Sequence, residues 1–269
     1  MGSALENSSQ WIDDFFVQRG ELFLQILNHM WHQSEPIVDG IVELARANGV
    51  DSGKVLDICC GNGRIAIPLA KRGFDVTGID ISKILIEDAK SKAQEFGVKN
   101  RTKFIAADVR DLESVLKEEG RFNLIISVWT SIGYYDEDTD MEILRQARSL
   151  AKPNGLFVID TVNRDAFMAS SLEKLKVYNE YGRLVVLEEP TADYSTSRVS
   201  TKWRFYSKDG NDLKYMDTVE YNVRQYGFHE LVRILSKAGW TMVGAYDHLR
   251  TLQTFTPRSS RIVIVARAP

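Results

Sequence analysis

The sequence predicts an α/β protein built on a doubly wound sheet, with an antiparallel β-meander inserted in its second half. Three observations predict this. Short, nearly all-apolar runs alternate with helical patterns from about residue 54 to residue 162. A glycine turn follows the first run, and acidic residues end the first three runs. Three runs of alternating polarity come next, as in antiparallel strands with one exposed face.

The N-terminal region is predicted to be helical. Apolar residues recur near helical spacing over residues 11–48, and Pro36 begins a second helix that ends at Gly49. We expect residues 1–48 to form a helical lid over a ligand site. The residues expected to cover that site are Trp11, Phe15, Phe16 and Arg19.

The α/β core is predicted to occupy residues 49–170 and 226–269. Its short strands lack a polar face, so helices must cover the sheet on both sides. The strands are predicted at 54–59, 75–80, 103–107, 123–129 and 156–162, and the helices between them at 65–72, 82–96, 112–117 and 138–151. The core ends with a helix at 228–238 and a pair of strands at 241–249 and 261–267.

The inserted sheet is predicted to occupy residues 171–225. Its alternating runs lie at 183–189, 198–206 and 213–224, and residues 208–211 between the last two are typical of a hairpin turn. In the second run, Val199, Thr201, Trp203 and Phe205 share one side of the strand. We therefore expect an antiparallel sheet with one apolar face.

Composition excludes several classes of function. The formal net charge is −3, and the basic residues are scattered, so no nucleic-acid partner is expected. No apolar run approaches the roughly 20 residues that span a bilayer, so no membrane partner is expected. The two cysteines are adjacent and cannot frame a fold by disulfides, and the polar start does not resemble a signal peptide. These features favour a cytoplasmic protein.

The strand and turn at residues 55–63 are the most informative motif. Asp57 lies in the strand, and Gly61 and Gly63 follow in the turn. The glycines allow a tight turn and close approach of a ligand to the backbone. Asp80 and Asp108 end the next two strands, where an adenosine-containing cofactor would lie at the edge of the sheet.

Two cofactors are compatible with this turn. Residues 61–66 fit a loose form of the dinucleotide fingerprint, with Asp80 at about the right distance to bind ribose hydroxyls. The second possibility is an adenosine-containing cofactor that has a cationic amine. Asp57 favours it, because a carboxylate before the glycines suits such an amine better than a pyrophosphate. Asp108 adds an acceptor for an adenine amino group. The alternative for Asp80 and Asp108 is a purely structural role, in which each caps the helix after it.

With these acids and glycines, the chain resembles the class I S-adenosylmethionine-dependent methyltransferases from about Val50 onward. That family has acid-x-glycine-x-glycine-x-glycine at the first strand, and here Cys59 stands in place of the first glycine. This departure from the family pattern is tolerable if Cys59 has ordinary strand dihedrals. The resemblance implies seven strands in the order 3-2-1-4-5-7-6, with the last strand antiparallel. The inserted meander is similar to that of small-molecule enzymes such as sugar-amine and glycine/sarcosine N-methyltransferases.

The resemblance also implies a set of cofactor-binding residues. Gly61 and Gly63 would flank the methionine part, and Asp80 would bind the ribose. The adenine would contact Asp108 and pack between Ile81 and Val109, and Trp129 would border the site of methyl transfer. The full set is Asp57, Gly61, Gly63, Asp80, Ile81, Asp108, Val109 and Trp129.

The expected function is methyl transfer from S-adenosyl-L-methionine to a small-molecule acceptor, more readily to nitrogen than to oxygen. No catalytic residue is assigned, and the candidates are Tyr134, Tyr135 and His229. No metal is expected, because His29 and His32 lack further ligands, and residues 136–147 lack the glycine and glutamate of a calcium loop. A homodimer is possible through the inserted sheet. The alternatives are an NAD(P)-dependent oxidoreductase and a non-catalytic cofactor-binding module.

Overall fold

A computed structural model describes residues 10–169 and 176–269. Residues 1–9 of the predicted lid and 170–175, where the core was predicted to give way to the inserted sheet, lie outside the described residues. The described chain forms two β-sheets, with helices on both faces of the larger one. Within this part of the chain, no helix is both long and apolar enough to cross a membrane.

The larger sheet has seven strands in the order β10-β11-β5-β4-β1-β2-β3. The first five strands in chain order, β1 through β5, are parallel to their neighbours among one another, whereas β11 runs antiparallel to both of its neighbours. This is the predicted order 3-2-1-4-5-7-6. The strands are β1 (Lys54–Ile58), β2 (Asp75–Asp80), β3 (Thr102–Ala106), β4 (Phe122–Ser127), β5 (Ala151–Val162), β10 (Thr241–Tyr246) and β11 (Arg261–Arg267).

Helices cover both faces of this sheet, as the apolar strands predict. Two clusters of buried apolar side chains form the core, and Leu56 of β1 belongs to one while its neighbour Val55 belongs to the other. Side chains alternate between the faces of a strand, so each face of the sheet packs against its own layer. The helices after β1 are Ala66–Lys71, Lys83–Glu95, Leu112–Leu116, Glu137–Leu150, Arg164–Ala169 and Phe228–Lys237.

The second sheet is a meander of four strands, β6 to β9, which we call the roof sheet. The sequence predicted three of them and missed β6. The turn between β8 and β9 is a tight hairpin, in which Asp209 pairs with Asp212 around Gly210 in the left-handed conformation. The strands are β6 (Val177–Tyr181), β7 (Leu184–Asp193), β8 (Arg198–Asp209) and β9 (Asp212–Arg224).

The described part of the N-terminal region is helical but interrupted. A π-helical turn, Asp13–Gln18, precedes the helices Gly20–His29 and Ser34–Ala47. Trp11 and Phe15 are buried and pack against the aromatic rings of the roof sheet. The Nε of Arg19 donates to Asp217 of β9 at 2.9 Å. The segment therefore lies between the roof sheet and the core.

Candidate functional site

A small cavity lies where β1, β2 and β4 end. Its volume is about 70 Å³, and side chains from the N-terminal helices close one side of it. Acidic, basic and aromatic side chains share its lining. Its lining residues include Asp57, Cys59, Gly61, Arg64, Asp80, Ile81, Val109, Trp129, Tyr134 and Tyr135, together with Ile12, Phe16, Phe23 and Leu27 from the N-terminal region.

Asp80 joins the glycine turn to the end of β2. Its Oδ2 accepts a hydrogen bond from the Gly61 N–H at 2.9 Å, and its Oδ1 accepts one from the Ser82 N–H at 2.9 Å. Burial raises the pKa of Asp80, and these two hydrogen bonds oppose the rise. The bond to Ser82 forms a turn before the helix Lys83–Glu95, whose N-cap is Ser82, so Asp80 is not the helix cap that the sequence offered as an alternative; its carboxylate also lines the cavity.

Asp57 is a buried carboxylate with an unused acceptor. Its side chain is 3% exposed, and its Oδ2 has no hydrogen-bond partner among the described residues. Burial raises its pKa to about 8, with Arg64 lowering it and Asp80 raising it. A buried acceptor without a donor is costly, so this oxygen requires a donor from a ligand or from water.

Arg64 is a candidate site residue that the sequence interpretation missed. It follows the glycine turn, is only 4% exposed, and its Nη1 has no partner among the described residues. Its guanidinium lies 5.0 Å from the ring centroid of Trp129. Burial lowers its pKa to about 10, against the attraction of Asp57 and Asp160, so it stays positively charged at neutral pH. Its only signal in the sequence is a basic residue directly after a glycine turn.

The glycine turn follows the predicted pattern except at Cys59. Gly61 has φ +55° and lines the cavity, whereas Gly63, with φ +77°, lies under the turn, where an added Cβ would be 3.0 Å from Phe104. Cys59 has φ +58°, so the condition of ordinary strand dihedrals is not met. The turn requires the left-handed conformation at this residue, which explains why the related family has glycine there.

Replacing Cys59 with glycine should stabilise the protein. We expect Cys59→Gly to raise the free energy of unfolding by about 0.5–1 kcal/mol, because relief of left-handed strain exceeds the added freedom of the unfolded chain. Urea denaturation would measure it. The control is Cys60→Gly. Because Cys60 is buried and lacks a positive φ, this variant should be less stable than the wild type. Equal destabilisation of both variants would contradict the assignment of strain.

Asp108 does not line the first cavity. It borders an adjoining surface cavity of about 230 Å³, which shares Ile81 and Tyr135 with the first one. Its carboxylate pairs with Arg110 at 2.6 Å and accepts the Arg110 N–H as a cap. Burial raises the pKa of Asp108, but the hydrogen bonds from Arg110 outweigh it and hold the pKa below its ordinary value. Ile81 and Val109 both line the first cavity.

The turn after β4 is held in an unusual conformation. Trp129 and Thr130 are consecutive non-glycine residues with φ +67°. The Trp129 N–H donates to Asp160 Oδ2 at 3.0 Å, and the Nη2 of Arg261 donates to the same oxygen at 2.8 Å. This buried ion pair between β5 and β11 holds the turn and thereby orients the Trp129 ring.

A larger cavity of about 330 Å³ lies between the N-terminal segment, the core and the inner face of the roof sheet. Four aromatic residues line both this cavity and the first one: Phe16, Phe23, Trp129 and Tyr134. These four aromatic side chains therefore lie between the larger cavity and the smaller one. Its other lining residues include Trp11, Phe15, Tyr181, Glu188, Thr201, Trp203, Tyr221, Gln225 and Arg261.

The three candidate catalytic residues do not come together. Tyr134 lines both cavities, and burial raises its pKa well above the ordinary value. Tyr135 lines the smaller cavity, and its hydroxyl lies 3.5 Å from Asp108. His229 is exposed in the first turn of helix Phe228–Lys237 and lines neither cavity. The structure therefore brings Tyr134 and Tyr135, but not His229, to the smaller cavity.

The comparison with known families agrees with this geometry. A family model described as a methyltransferase domain matches residues 50–219, which include the glycine turn, the three acids and most of the roof sheet. The chain belongs to this methyltransferase family. Its fold is that of class I, and its cofactor is S-adenosyl-L-methionine.

Individual relatives of this methyltransferase differ in their acceptors. A ubiquinone biosynthesis O-methyltransferase of Rickettsia felis is 31% identical over 54% of this chain and 60% of its own length. A methyltransferase structure from Clostridium acetobutylicum has a TM-score of 0.77 at 18% identity, covering 91% of this chain and 97% of its own. An amino pentose methyltransferase from Micromonospora echinaspora has a TM-score of 0.64 at 14% identity, covering 89% and 92%. The chain spans about half the length of the first curated relatives it matches.

The buried polar atoms of the methyltransferase fit its cofactor. S-adenosylmethionine ends in an amino acid, which has an ammonium and a carboxylate group. The cavity offers one unpartnered atom of each complementary kind, Oδ2 of Asp57 and Nη1 of Arg64. These atoms match the charges of the methionine part, which supports the choice of the methyl donor over a dinucleotide.

Proposed function

We propose that this chain is an active enzyme that transfers the methyl group of S-adenosylmethionine to a nitrogen atom of a small-molecule acceptor. The observation that supports this most strongly is the pair of cavities separated by Phe16, Phe23, Trp129 and Tyr134. One cavity has the polar atoms that a methyl donor needs. The other is large enough for a small molecule, since ligand sites in proteins measure about 300–1,000 Å³.

The cofactor-binding roles follow from the positions of the side chains. Asp57 would bind the ammonium group of the methionine part and Arg64 its carboxylate. Asp80, fixed by Gly61 and Ser82, would accept hydrogen bonds from the ribose. Ile81 and Val109 would pack on the adenine, with Asp108 near its amino group in the adjoining cavity. When bound, the cofactor supplies a methyl group activated by a positively charged sulfur.

The protein contributes alignment and exclusion of water. Methyl transfer is an in-line displacement, so acceptor, methyl group and sulfur must be collinear. The aromatic residues between the cavities exclude water from that line, and the ion pair of Asp160 and Arg261 fixes the orientation of Trp129. Aromatic faces also stabilise the positive charge of a sulfonium group.

The lining of the larger cavity favours nitrogen as the acceptor atom. Among the described residues that line it there is no histidine, lysine or cysteine, and its one carboxylate, Glu188, is a much weaker base than deprotonation of an alcohol requires. An amine requires a weaker base than an alcohol, because its ammonium form gives up a proton near neutral pH more readily. Tyr134 stays protonated at neutral pH, because burial raises its pKa, so its hydroxyl does not serve as a base.

The N-terminal segment is proposed to act as a lid on the cofactor. The smaller cavity, at about 70 Å³, is well below the usual size of a ligand site. Ile12, Phe16, Phe23 and Leu27 occupy its outer side. We expect these side chains to shift when the cofactor binds and then to close over it.

Isothermal titration and product release would test the proposed function. S-adenosylmethionine and its demethylated product should bind, and incubation with small-molecule amines should release S-adenosylhomocysteine. A titration with reduced nicotinamide cofactor tests the rival oxidoreductase, because its fluorescence changes on binding. Absence of binding of either S-adenosyl compound would reject the proposal, as would turnover of alcohols and not of amines.

A further inference from the structure

Glu188 is a carboxylate on the apolar face of the roof sheet. Leu184 and Val186 precede it at two-residue spacing on β7 and are buried, and Glu188 lines the larger cavity. Glu189, its neighbour, belongs to the outer face and pairs with Lys176 and Arg204. Charged residues rarely occupy the inner face of such a sheet unless a partner neutralises them.

Aromatic rings surround this carboxylate. Trp203 lies directly opposite Glu188 in the β7–β8 register, with its ring centroid 5.5 Å from that of Tyr221 and 5.1 Å from that of Phe15. Burial first, and the nearby charge of Glu188 second, raise the pKa of Tyr181 to about 12. The carboxylate and the faces of these rings together attract positive charge.

Nothing in the described part of the chain neutralises Glu188. Asn179 donates a hydrogen bond to its Oε1 at 2.6 Å, but no lysine, arginine or histidine of residues 10–169 and 176–269 forms an ion pair with it. Arg261 lines the same cavity, but its guanidinium is engaged by Asp160. Burial raises the pKa of Glu188, as expected for a carboxylate in an aromatic cavity without a cation.

We propose that Glu188 binds an ammonium group of the methyl acceptor and so determines specificity for lipophilic amines. The inference rests on the proposed function, because it assumes that the larger cavity holds the acceptor. The ammonium group supplies the cation that the carboxylate lacks, and the aromatic rings contact the apolar body of the molecule. A cavity of about 330 Å³ suits an amine with one or two rings.

The experiment compares amines with neutral molecules of the same shape. Tryptamine and 2-phenylethylamine, and the corresponding alcohols tryptophol and 2-phenylethanol, are titrated calorimetrically into protein saturated with S-adenosylhomocysteine. We expect at least one amine to bind about tenfold or more tightly than its alcohol, as for hydrogen bonds to a charged group. In Glu188→Gln that preference should fall to within about twofold, with the affinity for S-adenosylhomocysteine unchanged.

Glu189→Gln is the matched control, because it removes the same charge from the adjacent residue on the outer face. It should keep the wild-type preference for the amine. The inference is overturned if neither amine binds more tightly than its alcohol to the wild type, or if Glu188→Gln retains the preference. Failure of S-adenosylhomocysteine to bind the wild type would reject the proposed function instead, so the two failures are distinguishable.

Discussion

The variant Asp57→Asn should be more stable than the wild type without cofactor, since asparagine cannot ionise in the unfolded chain. It should bind the cofactor at least about 100-fold more weakly, since it cannot supply the negative charge that the ammonium group requires. The carboxyl has a pKa of about 8 in the folded protein and 3.8 as a model value. From pH 4 to pH 8 the unfolded chain has therefore lost a proton that the folded chain retains. The stability that this retained proton gives the folded wild type is fully present below pH 4 and is lost as the pH rises toward 8.

At pH 7 the free energy of unfolding of the asparagine variant should exceed that of the wild type by on the order of 2 kcal/mol. This is less than the shift in pKa alone would give, because the buried amide of asparagine also lacks a partner. Urea denaturation of the cofactor-free protein from pH 5 to pH 8 would measure this. The wild type should lose stability across that range, and the variant should lose much less. Asp75→Asn is the control, at the exposed start of β2.

Cofactor binding gives a second measurement at the same residue. An ammonium group beside Asp57 lowers its pKa, so binding at pH 7 should release up to one proton, and affinity should rise from pH 6 to pH 8. Calorimetry in two buffers of different ionisation enthalpy counts this proton. Arg64 and Asp80 also face Asp57 and remain in the variant. Proton release that persists in Asp57→Asn would show that another group titrates.

The second large effect is expected at Asp80. Asp80→Ala removes the acceptor for two backbone N–H groups, at Gly61 and Ser82, as well as the proposed ribose ligand. We expect affinity for S-adenosylhomocysteine to fall by about 100-fold or more and the free energy of unfolding to fall by about 1–3 kcal/mol. Calorimetry and urea denaturation would measure the two changes.

An analogue separates the ribose role of Asp80 from its structural role. The wild type should bind S-adenosylhomocysteine about tenfold more tightly than its 2′-deoxy analogue, as expected for a lost hydrogen bond to a charged group. In Asp80→Ala the two compounds should bind about equally. A variant that still discriminates between them would place the ribose hydroxyls elsewhere. Asp80→Asn, which keeps one acceptor oxygen, should be intermediate in stability.

Much of the core was predictable because its strands are buried on both faces. Runs such as Val55 and Leu56 in β1 are apolar without alternation, and the helices between them have clear apolar faces. The strand β6 was missed because Val177–Tyr181 mixes apolar and polar residues and is half-exposed as an edge strand. The π-helical turn Asp13–Gln18 was missed because tertiary packing of its aromatic residues overrides local helical spacing.

The site residues were predictable where a sequence motif fixes the backbone. They were unpredictable where a residue's part in the site depends on its burial in the folded protein. Asp57, Asp80 and Gly61 follow from the order of strand, turn and acid, and the structure brings them into one cavity. Arg64 is a candidate because it has an unpartnered buried nitrogen, which no sequence pattern shows. Glu188 had a signal, since two-residue spacing from Leu184 and Val186 places it on the inner face.

The roof sheet is one continuous stretch of chain between the fifth strand of the core and the helix Phe228–Lys237. The acids proposed to bind the methyl donor all lie outside this stretch. Replacement of this one segment should therefore change the roof side of the proposed acceptor cavity and leave those acids unaltered. Grafting the corresponding segment from a relative should exchange acceptor preference and leave the affinity for S-adenosylmethionine nearly constant.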